Sequence, residues 1–224
     1  MAVVLITGAG TGLGFSLAKE YAKLGHFIVL SGRRVETLEA ANSSIHELGG
    51  RSMIFPCDIT NYDDTRNKLN GLKKEDMQID WLINNAGVGH FGGFEKNSLK
   101  EINDMVQTNV FGTIYMTQLL LPTIKKSPTG RIYNIISTAG LRGKSNEAVY
   151  CATKFAARGF TEALQKEYDG TNLKITGVYM GGMDTPFWDH STHVKDRSRL
   201  QTADEVARKI IELDDGRPEI IIEK

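Results

Sequence analysis

Seven short runs of apolar and β-branched residues punctuate this chain: AVVLI (2–6), FIVL (27–30), SMIF (52–55), IDWLI (79–83), RIYNII (131–136), LKITGVY (173–179) and EIII (219–222). The segments between them carry helical period. Leu38, Ala41, Ile45 and Leu48 form one apolar stripe, and Ala203, Val206, Ala207, Ile210 and Ile211 form another. The second stripe opens with Thr202 and Glu205 in capping-box spacing. Strands that are apolar nearly throughout need cover on both faces, which a parallel sheet flanked by helices provides. The order therefore predicts a doubly wound α/β fold with a parallel sheet of about seven strands. No repeat, low-complexity tract or linker divides the chain, so residues 1–224 are expected to form a single domain. A core of this size needs neither disulfide nor metal. The least regular stretch is 186–201.

Charge narrows the partners. Twenty-seven Lys and Arg balance twenty-seven Asp and Glu, leaving no net field to gather nucleic acid or an anionic membrane. The run at 2–6 follows no basic segment and stops at Thr7 and a glycine cluster, which fits neither a signal peptide nor a membrane span. Cys57 and Cys151 form no CxxC pair, as expected of buried small hydrophobes in a reducing, cytoplasmic compartment. His190 and His193 have no further ligand pattern around them, so no metal is expected.

After the first run comes TGAGTGLG, residues 7–14, and then a stripe of Leu13, Leu17, Tyr21 and Leu24. Glycines at a strand-to-helix turn let the backbone approach a pyrophosphate, whose charge then meets the helix N-terminus. The spacing GxGxxG fails because Leu13 holds its last position. TGxxxGxG fits, with Gly8, Gly12 and Gly14, and it makes Thr11 and Leu13 neighbours of the cofactor. A tight connection alone needs similar glycines, but the strand before and the helix after favour a dinucleotide. An NAD site places an acid at the end of the second strand for the ribose hydroxyls. This chain reads SGRR at 31–34, with no carboxylate before Glu36. An arginine fork suits phosphate oxygens, so NADP is expected, with Arg33 on the 2'-phosphate and Arg34 as the alternative. The competing reading is two solvated arginines at a helix start.

YCATK, residues 150–154, puts Tyr150 and Lys154 on one helix face. A phenol with a pKa of about 10 becomes a useful acid when a fixed ammonium draws that value down. A solvated Tyr/Lys pair is the bland alternative. Ser137 follows RIYNII at the C-terminal edge of the fifth strand, the edge where open α/β sheets bind ligands. Its hydroxyl can donate to a carbonyl oxygen as that oxygen gains charge. The serine lies in STAG, not in a GxSxG elbow, so it does not read as a nucleophile.

TGAGTGLG, NNAG (84–87), Asn109, Ser137 and a YxxxK motif with Tyr150 13 positions after Ser137 together resemble the short-chain dehydrogenase/reductase family. The resemblance covers nearly the whole chain. It implies a Rossmann-type fold and hydride transfer between a nicotinamide and a carbonyl or alcohol, with Tyr150 moving the proton. It also implies that Lys154 contacts the nicotinamide ribose and that Asn109 positions a water in the proton relay. Asn84, Ala86 and Gly87 go by resemblance to the cofactor turn, Asp58 to the adenine, and Gly181 and Thr185 to the carboxamide side. Read alone, Asn109 is a helix residue bonding backbone, and Asp58 is equally a turn residue capping a helix. Two departures stand out: Met180 replaces a common proline, and Thr11 is not the basic residue of many NADP-preferring relatives. The cofactor choice thus depends on SGRR.

These readings converge on an NADP-dependent carbonyl reductase or alcohol dehydrogenase. Its substrate would be a 3-oxoacyl thioester, a pteridine side chain or a small ketone. The alternative is a non-catalytic NADP-binding regulator of the same fold. Substrate is expected to enter over 186–201, with Phe187 and Trp188 as apolar wall and Arg142 as a rim charge. Apolar positions around Phe155, Ala156, Phe160 and Ala163, and along a helix from Ile102 to Ile124, predict a subunit interface. The resemblance implies a homodimer or homotetramer.

Overall fold

The computed structural model describes residues 1–189 and 191–222. Seven strands share one parallel sheet: β1 (Val3–Thr7), β2 (Phe27–Gly32), β3 (Arg51–Pro56), β4 (Trp81–Asn84), β5 (Arg131–Ile135), β6 (Lys174–Met180) and β9 (Glu219–Ile222). Their spatial order is β3-β2-β1-β4-β5-β6-β9. All seven apolar runs are in it. A small parallel bridge joins β7 (Met183–Asp184) to β8 (Gln201–Thr202), pinning both ends of the irregular stretch that the sequence leaves open.

The helices are α1 (Gly12–Lys23), α2 (Val35–Glu47), α3 (Tyr62–Lys74), α4 (Leu99–Val106), α5 (Thr113–Ile124), α6 (Ala148–Glu167) and α7 (Ala203–Glu212). Strand side chains alternate between two cores, as pleating requires. Val4 and Ile6 pack with Leu17 and Tyr21 of α1, Leu38 and Ile45 of α2 and Val206 and Ile210 of α7. Leu5 points the other way, toward Leu69 and Leu72 of α3, Met116 and Leu120 of α5 and Leu164 of α6. This is the doubly wound arrangement. The capping box at Thr202 and Glu205 is formed.

Two helical stripes end one residue sooner than their spacing predicts. Leu24 and Leu48 are 60% and 56% exposed. Each closes its helix just before a left-handed glycine, Gly25 at φ +84° and Gly49 at φ +76°, where the chain turns away from the core. The expected helix from Ile102 to Ile124 is also not uniform. A π-helical segment, Gln107–Gly112, lies between α4 and α5 and contains Asn109. Among the described residues, no helix is long and apolar enough to cross a membrane.

Sheet topology fixes where a ligand can sit. Strand β1 pairs with β2 on one side and β4 on the other, so the chain reverses its direction of winding between β1 and β4. The loops leaving the two strands diverge there and open a crevice at their C-terminal ends.

Candidate active site

A cleft of about 800 Å³ occupies that crevice. One end is shaped by absent side chains. Gly8 turns at φ +65°, and a Cβ there would lie 3.0 Å from the Ala86 backbone. A Cβ on Gly14 would fall 2.5 Å from Asn85 Nδ2, and Gly12 lies against Thr185. The loop is thus pressed onto the turn after β4, and Asn85 fastens the two together. Asn85 Nδ2 donates to the Thr7 carbonyl at 2.9 Å, while Thr7 Oγ1 accepts from the backbone N–H groups of Asn85 and Ala86 at 3.0 Å each. Thr11, Gly12 and Leu13 line the cleft; Gly14 supports the loop from behind.

Arg33 and Arg34 stand exposed at this same end and line the cleft, with no acidic partner among the described residues. Beside them the Ser31 hydroxyl is buried in the cleft wall without a hydrogen-bond partner among the described residues. Buried orphan donors are uncommon. A glycine cradle, unpaired cations and a hydroxyl with open valence fit a phosphorylated dinucleotide. Asp58 lines the cleft, but one of its oxygens accepts from the Thr60 backbone and hydroxyl at 3.1 and 2.8 Å. It is a turn residue at least, and Asn61, not Asp58, caps α3.

At the other end lie Ser137, Tyr150 and Lys154. Ser137 follows β5 in a backbone conformation that L-residues rarely adopt, φ +98°, and its hydroxyl accepts from the Ala139 N–H at 3.2 Å. Helix α6 reaches this turn because Gly140 has no Cβ; one there would sit 2.9 Å from the Lys154 carbonyl oxygen. Lys154 is buried, and its ammonium donates to the Ile135 carbonyl at 3.0 Å. Burial pulls its pKa down to about 8. Tyr150 is 9% exposed, and burial pushes its phenol upward; the Ser137 hydroxyl pulls it partly back, while Glu147 and Cys151 push it up further.

The expected acidification of Tyr150 by Lys154 therefore does not appear. The ammonium lies 5.7 Å from the centroid of the phenol ring and spends a hydrogen bond on the backbone. Loss of water around the phenol outweighs its influence. The group that faces the phenolic oxygen and favours its ionisation is Ser137.

The place of Asn84 is also corrected, and that of Asn109 is defined. Asn84 does not reach the cleft: it is 4% exposed, and its Nδ2 donates to Thr117 Oγ1 and Asn134 Oδ1 at 3.0 and 2.9 Å. It shares the pleat face of Leu82, which points it toward α5. Asn109 fastens rather than faces the cleft. Its amide donates to the Val88 carbonyl at 2.9 Å and Thr153 Oγ1 at 3.0 Å, and its Oδ1 accepts from the Val88 N–H at 2.8 Å. Asn109 thus bonds backbone and clamps the segment after β4 to α6 beside Lys154. Ala86, Gly87, Gly181 and Thr185 all line the cleft as expected.

Phe187 and Trp188 do form wall, but Arg142 does not line the cleft; Lys144 and Arg199 do. His190 lies outside the described residues. His193 meets Glu147, Nε2 to Oε1, at 3.0 Å. Sequence reasoning missed Asn85, although NNAG contains it, and Ser31, although SGRR begins with it. Glu147 and His193 left no signal, because nothing local pairs residues so far apart.

The family described as short chain dehydrogenase matches residues 2–196. A sepiapterin reductase from Chlorobaculum tepidum is 31% identical over 83% of this chain and 79% of its own. An uncharacterized oxidoreductase from Staphylococcus saprophyticus is 34% identical over 95% and 85%. Among solved structures, a short-chain dehydrogenase from Sphingobium yanoikuyae in complex with NADPH superposes with a TM-score of 0.89 at 26% identity, over 99% of this chain and 87% of that one. An alcohol dehydrogenase from the archaeon Thermococcus sibiricus complexed with 5-hydroxy-NADP shares the fold, with a TM-score of 0.90 at 24% identity over 99% and 96%. Sequence, sheet order and cleft agree: this chain is a member of the short-chain dehydrogenase/reductase family and an oxidoreductase.

Proposed function

We propose that the protein is an NADP-dependent carbonyl reductase in which residues 1–224 act as one cofactor-binding catalytic domain. The observation that carries this is a buried Tyr150 lining, with Ser137 and Lys154, the same cleft as Arg33 and Arg34, which have no acidic partner among the described residues. Arg33 takes the 2'-phosphate, with Arg34 beside it, and the loop from Gly8 to Leu13 holds the pyrophosphate. When bound, the reduced nicotinamide supplies a hydride. Tyr150 donates its proton to the substrate carbonyl oxygen, and Ser137 donates a hydrogen bond to the same oxygen. Burial pushes the Tyr150 phenol upward, and the phenol is the form that donates a proton in reduction. Lys154, lowered by burial to about 8, stands one helical turn from Tyr150 with its ammonium on the Ile135 carbonyl. Asn109 and Thr153 hold that helix face in place.

Neighbours with this fold are described with NADP-type cofactors, and one from Burkholderia phymatum with NAD, so preference here turns on Arg33. Exposed Phe111 and Phe155, on the π-helical segment and α6, favour pairing with a second copy. The test is NADPH consumption with a panel of ketones. Tyr150→Phe is expected to lower kcat by roughly a hundredfold or more with NADPH affinity retained. Undiminished turnover in that variant overturns the assignment of the acid. NADPH binding with no consumption by the unaltered protein favours the non-catalytic regulator.

A further inference from the structure

Beyond Tyr150 the cleft is lined by a buried carboxylate that the reduction does not use. Glu147 is 8% exposed and holds the N-cap position of α6, three residues before Tyr150. One oxygen meets His193; the other has no hydrogen bond among the described residues, and the residue lines the cleft. A carboxylate in such a position is costly. Stripping water from it is unfavourable, and its charge opposes ionisation of Tyr150. His193 offers only one bond.

The surroundings are aromatic. Phe187, Trp188 and His193 line the cleft, and Phe91 stacks behind the latter two, 5.0 Å from each ring centroid at 29° and 18°. Trp188 is tied down through its indole N–H, 2.9 Å from the Met183 carbonyl. Phe91 and Phe187 also border Tyr150 at 5.4 and 6.0 Å. The wall therefore fits a flat body whose carbonyl faces Tyr150. Of the cations at this end, Lys154 is buried but has its ammonium on the Ile135 carbonyl. Arg199 is exposed, and Lys144 is half-buried with its ammonium on Thr138 Oγ1 at 3.0 Å. A mostly buried charge discriminates more strongly than exposed ones.

Resting on the reductase reading above, we infer that Glu147 is a specificity residue that selects planar ketones bearing a nitrogen group able to donate hydrogen bonds, cationic or not, over ketones bearing an anion. The donor satisfies the open oxygen of Glu147 while the ring lies along Phe187 and Trp188. Thioesters whose polar end is a phosphate or carboxylate are disfavoured.

Calorimetric titration of the full chain, with and without NADP+, using three ketones of one shape tests this. The probes are acetophenone, 4-(aminomethyl)acetophenone and 4-acetylbenzoate. The aminomethyl compound is expected to bind about tenfold or more tighter than the benzoate. Glu147→Gln, close to isosteric, should bring the two within about twofold, with NADPH affinity reporting that the fold is kept. His193→Phe keeps the stacked ring and frees the carboxylate, so it should preserve or widen the preference. No binding of any ketone, equal affinities in the unaltered protein, or a preference erased by His193→Phe as fully as by Glu147→Gln overturns the inference. NADPH consumption measured in parallel separates the two claims. Preference without turnover leaves the anchor and removes the reductase, and turnover without preference does the reverse.

Discussion

The two ends of the cleft are built by opposite means. At the glycine loop the site is made of backbone, missing side chains and exposed cations: Gly8 and Gly14 are pressed against Asn85 and Ala86, with Arg33 and Arg34 in solvent. At α6 it is made of buried functional groups whose ionisation is displaced, Tyr150 upward and Lys154 down to about 8. The first end binds through shape and charge at little cost in desolvation. The second keeps reactive groups out of water, which perturbs them and makes them useful. Lesions at the two ends should therefore read out differently.

The sharpest break comes from Gly14→Ala. Its Cβ would collide with Asn85 Nδ2 and the Gly8 carbonyl, both held by the β1 and β4 turns. A loss of about 3 kcal/mol of stability is expected, seen as a lower urea midpoint, together with weakened NADPH binding. Near-native stability would mean the loop can shift, and that shape does not define this end. Arg33→Ala comes next. It should cost about 2 kcal/mol of NADPH affinity, roughly thirtyfold, and leave NADH nearly untouched. Equal losses for both cofactors would remove the phosphate assignment.

At the buried end, Lys154 gives a pH signature. Its folded-state pKa, about 8, lies below the unfolded value of about 10.4. Between those values the unfolded chain binds more protons, so stability rises with pH across that window. The gain over Lys154→Met, read from urea midpoints, should be on the order of 1–2 kcal/mol by about pH 10. Parallel profiles for the two proteins would show that the ammonium is well solvated. The smallest effect concerns Ser137, whose φ of +98° is strained for any residue with a Cβ. Ser137→Gly should be more stable than Ser137→Ala by about 1 kcal/mol in thermal melts, while both lose turnover. Equal stability would place the strain elsewhere.

The legibility of the molecule follows the same division. Seven apolar runs gave seven strands, because a strand buried on both faces needs its whole length apolar. TGAGTGLG and YCATK were readable because the loop and the helix turn are local, so spacing carries their geometry. Spacing said least where partners are distant. Asn84 and Asn109 share a motif with cofactor-facing residues, yet their side chains turn to Asn134, Thr117, Thr153 and Val88. The direction of the Tyr150 shift was misjudged because spacing placed Lys154 nearby but said nothing of the water both groups lose.

By itself the sequence determined the alternation of strands and helices, the glycines that let a loop close on β4, and which residues carry a hydroxyl, phenol or ammonium near one sheet edge. Those properties depend on periodicity and chemistry within a few residues. Only the tertiary structure decided which groups are dry, which asparagines face inward, and that Glu147 meets His193 across 46 positions. Burial and long-range pairing are properties of the packed chain, since desolvation depends on every neighbour at once.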